Sequence, residues 1–113
     1  MSTFLVTQPS NGITVIRFAE EVLGGSEGIE LSGLVREACA EKNATVVFDL
    51  ASVRVMNSSG LGMLVGSLAT VRKHDGKLIL AALPEKVRSL LAITQLTSIF
   101  DSQDTVAEAL QHQ

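Results

Sequence analysis

A single α/β domain is predicted, with a mixed sheet opened by a β-hairpin and continued by parallel βα units. Three observations carry this reading. Asn11-Gly12 stands between two stretches of alternating apolar residues, a hairpin signal because both residue types accept positive φ. Two short apolar runs, 45–50 and 77–82, read as strands covered on both faces. Before, between and after them, apolar residues recur at the spacing of one helix face. Parallel neighbours in a sheet need crossover connections, and helices supply them.

The elements follow in order. Phe4 and Val6 mark a strand at about 3–8, and Ile13 and Val15 a second at about 13–19. Residues 20–28 form a glycine-rich connection. Leu31, Leu34, Val35 and Ala38 predict a helix that ends near Lys42-Asn43. The run 45–50 is a central strand, β-branched and nearly continuous in its apolar character. Leu61, Leu64, Val65, Leu68 and Val71 predict the next helix, stopped at His74-Asp75-Gly76 with Gly76 in the left-handed conformation. A strand over 77–82 follows. Pro84 suits the first turn of a helix whose buried face is Val87, Leu90 and Leu91. Ile99-Phe100 is the expected last strand. Val106, Ala109 and Leu110 line a final helix, with Ser102 or Asp104 as its cap.

Composition bounds the function. The chain has 113 residues, the length of one domain rather than two, so 1–113 is read as a single unit. At 46% hydrophobic and 19% charged it has material for a core and is not a disordered chain. Four Phe and no Trp or Tyr leave Leu, Val, Ile and Ala to build that core. Nine Lys and Arg against twelve Asp and Glu leave no basic stripe for nucleic acid. Cys39 stands alone, which excludes a disulfide within the chain, suits a small buried hydrophobe and points to a reducing, cytoplasmic setting. Met1 is followed by polar Ser2 and Thr3, without the basic and apolar regions of a signal peptide. Residues 55–71 carry no charge but are too short to span a membrane and hold Asn57, Ser58, Ser59 and three glycines, so no membrane insertion is expected.

Chemistry concentrates in 53–62, Val-Arg-Val-Met-Asn-Ser-Ser-Gly-Leu-Gly, where a central strand gives way to a helix. Ligands of open α/β sheets gather outside the carboxyl ends of the strands. Asn57, Ser58 and Ser59 are all good helix caps, and free amides at a helix start attract anions. Simple capping and a functional site therefore both fit the spacing. Catalytic alternatives lack residues. Gly60, Gly62 and Gly66 have the wrong spacing for a dinucleotide fingerprint, and there is no P-loop. Neither serine has the glycine two positions before it that a nucleophile elbow requires. His74 falls at the far end of the helix, roughly 20 Å from Ser58 at 1.5 Å per residue, and His112 lies in a tail. Without a metal-ligand motif, neither a metal nor a cofactor is expected, and the chain is not read as an enzyme.

The run Asp49-Leu50-x-x-Val53-x-x-Met56-Asn57-Ser58-Ser59-Gly60-Leu61-Gly62 resembles the signature of the STAS domain, the fold of bacterial anti-sigma-factor antagonists. The resemblance extends over essentially the whole chain, from the opening hairpin to the Pro84 helix. It implies that Ser58 is the phosphoacceptor. It further implies that the unmodified domain binds an anti-sigma factor of the ATP-binding serine-kinase type, that phosphorylation releases this partner, and that a PP2C-type phosphatase resets the switch. Met56, Asn57, Ser59, Gly60, Leu61, Gly62 and Met63 are the expected partner surface, the glycines letting a partner backbone approach closely. Asp49, an acid at the end of a buried strand, is expected either to support the Ser58 loop or to join that surface. Two features depart from the family pattern. Asn57 stands where many members carry Asp, and residues 20–33 are glycine-rich without the usual Leu-Asp opening of the first helix. STAS-like domains also serve as constitutive scaffold subunits, for example of a bacterial lipid-transport ABC complex. A small-ligand-sensing module is the third reading open at this point.

Overall fold

The structure is a computed structural model that describes residues 4–111. Thr3, expected in the first strand, and His112, expected in a tail, lie outside the described residues. Strands β1 (Phe4–Ser10) and β2 (Ile13–Phe18) form the antiparallel hairpin. Only Gly12 takes positive φ at the turn, 78°, while Asn11 does not. From β2 onward the sheet is parallel. Strands β4 (Thr45–Asp49), β6 (Lys77–Ala81) and β7 (Asp101–Gln103) complete the order β1-β2-β4-β6-β7. The expected mixed sheet is thus the observed one. The two apolar runs occupy its centre: Val46, Val47 and Phe48 are wholly buried, as are Leu80 and Ala81.

Alternation along the strands sends side chains to opposite faces. Ile16, Phe18, Val46, Phe48, Leu78 and Leu80 point to one face. Helices α1 (Ser26–Ala38), α2 (Ser58–Lys73) and α3 (Glu85–Ile93) cover it with Leu31, Val35, Leu64, Leu68, Val71, Val87 and Leu91. Phe18 makes an edge contact with Phe4 and a tilted one with Phe48, at 5.0 and 4.9 Å between ring centres. The opposite face holds Val15, Val47, Ile79 and Ala81, packed by helix α4 (Val106–Gln111) through Val106, Ala109 and Leu110. Cys39, at the end of α1, is buried, and burial raises its thiol pKa, as expected of a small core residue.

Several boundaries differ from expectation, each for a local reason. Helix α1 starts at Ser26, inside the glycine-rich connection, because Glu27 reaches back to accept the Leu23 N–H at 3.1 Å. It ends at Ala38 rather than near Lys42-Asn43, since the chain turns again through Asn43 at φ 64° to enter β4. The left-handed stop after α2 is Asp75 at φ 59°, not Gly76. Gly76 serves a close approach instead: a Cβ there would lie 2.8 Å from the Ala44 carbonyl oxygen. Pro84 sits at the cap of α3, one residue before its first turn. Residues Thr97–Ile99 form a 3₁₀ turn, so the last strand begins at Asp101 instead of Ile99-Phe100. Helix α4 is capped by Thr105, whose hydroxyl accepts the Glu108 N–H at 3.0 Å, not by Ser102 or Asp104.

Two elements have no counterpart in the periodicity. Strands β3 (Glu21–Val22) and β5 (Val55–Met56) pair in parallel as a two-stranded ribbon beyond the carboxyl ends of β2 and β4. At two residues each they are too short to carry a pattern. They nevertheless decide where the 53–62 segment lies.

Candidate functional site

The ribbon delivers the chain to α2 at Asn57. Backbone bonds from Arg54 N and Val55 N to the Glu20 carbonyl, at 2.7 and 3.1 Å, hold its near end. An exposed Arg54–Glu20 ion pair at 3.5 Å lies over the same junction and adds little. Asn57 is the N-cap of α2, its Oδ1 accepting the Gly60 N–H at 2.8 Å. Its Nδ2 donates to the Leu23 carbonyl at 3.2 Å, and its backbone N–H to the Val22 carbonyl at 3.4 Å. One side chain and its own amide thus bridge the start of α2 to the end of β3.

Ser58 and Ser59 are the first two residues of α2, and both are exposed. Gly62, one turn on, is also exposed, while Met56 and Met63 are half-buried. Gly60 differs from expectation, and Leu61, expected both on the core stripe and on the partner surface, goes to the core. Leu61 is only 6% exposed and belongs to the core facing the sheet, because the helix period that exposes Ser58 and Gly62 turns position 61 inward. Gly60 is buried against its own chain: a Cβ there would overlap the Val22 carbonyl oxygen and lie 2.9 Å from the carbonyl carbon. Its missing side chain admits the β3 backbone, not a partner's. Asp49 closes the β4 strand. Its neighbour Phe48 points to the face of α1–α3, so Asp49 points to the other, where Oδ1 accepts the Ala51 N–H at 3.1 Å and fastens the turn after β4.

Val22, Leu23 and Gly24 also belong to this site; they lie in the 20–33 strip that the family resemblance places beside the Ser58 loop, but they are not among the residues expected to form the partner surface. Gly24, at φ 93°, lies against Ser59, and a Cβ there would approach the Ser59 Cβ to 2.7 Å. Gly25, at φ 68°, precedes α1. The adjacent Gly24-Gly25 pair was the available signal, since two positive-φ residues in succession rarely suit anything but glycine. A furrow of about 450 Å³ runs from this loop between α1 and α2, with Gly24, Gly28, Ser59, Gly62, Met63 and Gly66 along it. Gly28 packs near Met63, whereas Gly62 and Gly66 have nothing within 4 Å of a Cβ. Glycine in a helix interior is less stable than alanine by roughly 0.5–1 kcal/mol, so Gly66→Ala is expected to stabilise the domain by about that amount in urea unfolding. A loss of stability would show that the helix needs the space itself.

Among the described residues there is no group of three or more His, Cys, Asp or Glu placed to hold a metal, and no helix long and apolar enough to cross a membrane.

Comparison with known proteins agrees with this geometry. A model of the STAS domain matches residues 5–109. The chain is similar to the anti-sigma-B factor antagonist of Bacillus subtilis, 40% identical over 62 residues, which are 55% of this chain and 57% of that protein. It is 33% identical over 60 residues to the antagonist of the same name from Listeria monocytogenes, covering 53% of each. The chain thus spans a little more than half the length of the curated relatives it matches. An anti-sigma-factor antagonist (STAS) domain protein from Planctomyces limnophilus superposes with a TM-score of 0.81 at 21% identity, over 96% of both chains. At that identity the likeness is one of fold. With the family match running from the hairpin to the last helix, and the same architecture in that solved relative, the chain belongs to the STAS domain family.

Proposed function

We propose that this protein is an anti-sigma-factor antagonist switched at Ser58. In its unmodified form it binds an anti-sigma factor that is also an ATP-binding serine kinase. Phosphorylation of Ser58 releases that partner, and a PP2C-type phosphatase restores binding. The domain is a substrate and a binder rather than a catalyst, and it works in the cytoplasm. The single observation that carries this reading is the exposure of Ser58 at the first turn of α2. The names of the curated relatives support the same role.

The contact surface centres on Asn57, Ser58, Ser59 and Gly62, with Met56 and Met63 contributing apolar area at its margins. Gly62 and Gly66 support close approach by a partner, because no contact within this chain requires either to be glycine. Phosphoserine adds about −1.5 to −2 charge at neutral pH. A helix N-terminus tolerates negative charge, with about 0.3–1 kcal/mol in its favour when exposed, so the fold survives modification. A docked partner does not tolerate it, because covering the phosphate removes its water unless new cationic partners replace it. The switch therefore acts on association and leaves folding alone.

The reading is tested by incubating the full chain with ATP and a purified anti-sigma kinase from the same organism, then mapping the modified residue by mass spectrometry. Modification at Ser58, lost in Ser58→Ala, is the expected result. Modification elsewhere, or none, together with stable binding in the presence of ATP, favours a constitutive scaffold and overturns the switch.

A further inference from the structure

We propose that Asn57 is the positioning residue of the Ser58 surface and that it acts through its amide nitrogen, tying the Leu23–Gly25 loop to the start of α2 so that both present one face to a partner. The proposal rests on the reading of Ser58 as the switch.

Asn57 makes two side-chain bonds in different directions. Oδ1 meets the Gly60 N–H, a donor, and Nδ2 meets the Leu23 carbonyl, an acceptor. These neighbours leave one orientation of the amide that satisfies both. The first bond is ordinary helix capping, and Ser or Asp would supply it about as well. The second is not needed for capping, and neither Ser nor Asp can make it. A carboxylate has no donor at neutral pH, and facing the Leu23 carbonyl it would set one acceptor against another. Serine is too short to reach in two directions.

The tie joins positions 34 residues apart in sequence, and it holds the Leu23 carbonyl, just before two glycines at positive φ. Gly24 and Gly25 both lie at positive φ, and glycine carries the largest conformational freedom of any residue. Leu23 is held on its amide side by Glu27 and on its carbonyl side by Asn57. Gly24 touches Ser59, so a shift of the loop alters the ground immediately beside Ser58. Leu23 itself is 42% exposed, an apolar side chain available to a partner only while the loop keeps its place.

Two variants of the full chain test this, Asn57→Asp and Asn57→Ser. Both keep a capping oxygen, and Ser adds no charge. Hydrogen exchange is measured over residues 22–26 and over the first turns of α2, without any partner present. The expected result is roughly fivefold faster exchange over 22–26 in both variants, the factor for losing one ordinary hydrogen bond, with Gly60 still protected. Affinity for the anti-sigma factor used in the Ser58 experiment should fall in both variants, while thermal midpoints fall by no more than about 4–8 °C, the shift expected for one lost hydrogen bond. Unchanged exchange over 22–26 overturns the tie. Faster exchange with undiminished affinity overturns the positioning role and leaves Asn57 a structural residue. The exchange measurement needs no partner, so a failure of the Ser58 reading is seen separately, as equal binding by the Ser58→Asp variant.

Discussion

Replacing Gly60 by alanine is expected to destabilise the domain by about 3 kcal/mol and to lower its thermal midpoint by more than roughly 10 °C. Only one methyl group is added, on a helix where alanine is otherwise favoured. The added carbon has no place to go, because it would overlap the Val22 carbonyl oxygen and crowd Met56 Cγ at 3.1 Å. The obstacle is backbone held by pairing with β5, and it cannot swing away as the end of a side chain would. Either β3 leaves β5 or α2 retreats from the sheet and opens the core around Leu61 and Leu64. Gly66→Ala, on the same helix, is the control, with stability expected to move the other way. The measurement is urea or thermal unfolding of the two variants beside the parent, with equal denaturant slopes confirming that the same surface is exposed. A Gly60→Ala midpoint within about 2 °C of the parent would mean that the ribbon yields easily.

Phosphorylation of Ser58 is expected to weaken binding of the anti-sigma factor by about 100-fold or more while leaving the thermal midpoint nearly unchanged. An unpaired charge buried at an interface costs about 2–5 kcal/mol, and the dianionic phosphate falls in that range. Titration calorimetry with the phosphorylated chain, Ser58→Asp and Ser58→Ala separates the effects. The alanine variant should bind like the parent and the other two should not. The second ionisation of phosphoserine lies near pH 6. The phosphate keeps only one negative charge well below that value, so the discrimination should shrink as pH falls toward 5. A phosphorylated chain that binds like the parent removes the switch, and a large fall in midpoint would show that the charge acts on folding instead.

The fold was legible because the signals that encode it are local or periodic. A run such as Val46-Val47-Phe48 has no polar position to turn toward water, which places it at the centre of a sheet whatever else the chain does. The stripe Leu61, Leu64, Leu68 and Val71 fixes which side of α2 is inside, and these four are buried. Ends of elements were less legible. Gly76 and Asp75 both suit a helix stop; the chain takes positive φ at Asp75 and keeps Gly76 for its close approach to the Ala44 carbonyl, a division that the local sequence does not show. Asn57 as the cap of α2 could be read from its neighbours, since Asn before a helical run accepts an amide proton two or three residues on.

Tertiary structure alone decided how the surface around Ser58 is composed. From sequence, Gly60 belongs with Gly62 and Met63 on the surface, while Leu61 is read both on the core stripe of α2 and on that surface. Packing divides them, giving Leu61 to the core and Gly60 to the backbone of β3. The loop at Gly24 reaches the site from across the chain, and nothing near residue 58 announces it. Residues adjacent in sequence share a period and can be read together. Residues brought together by a two-residue ribbon share none, so the partnership of Asn57 with Leu23 exists only once the chain has folded.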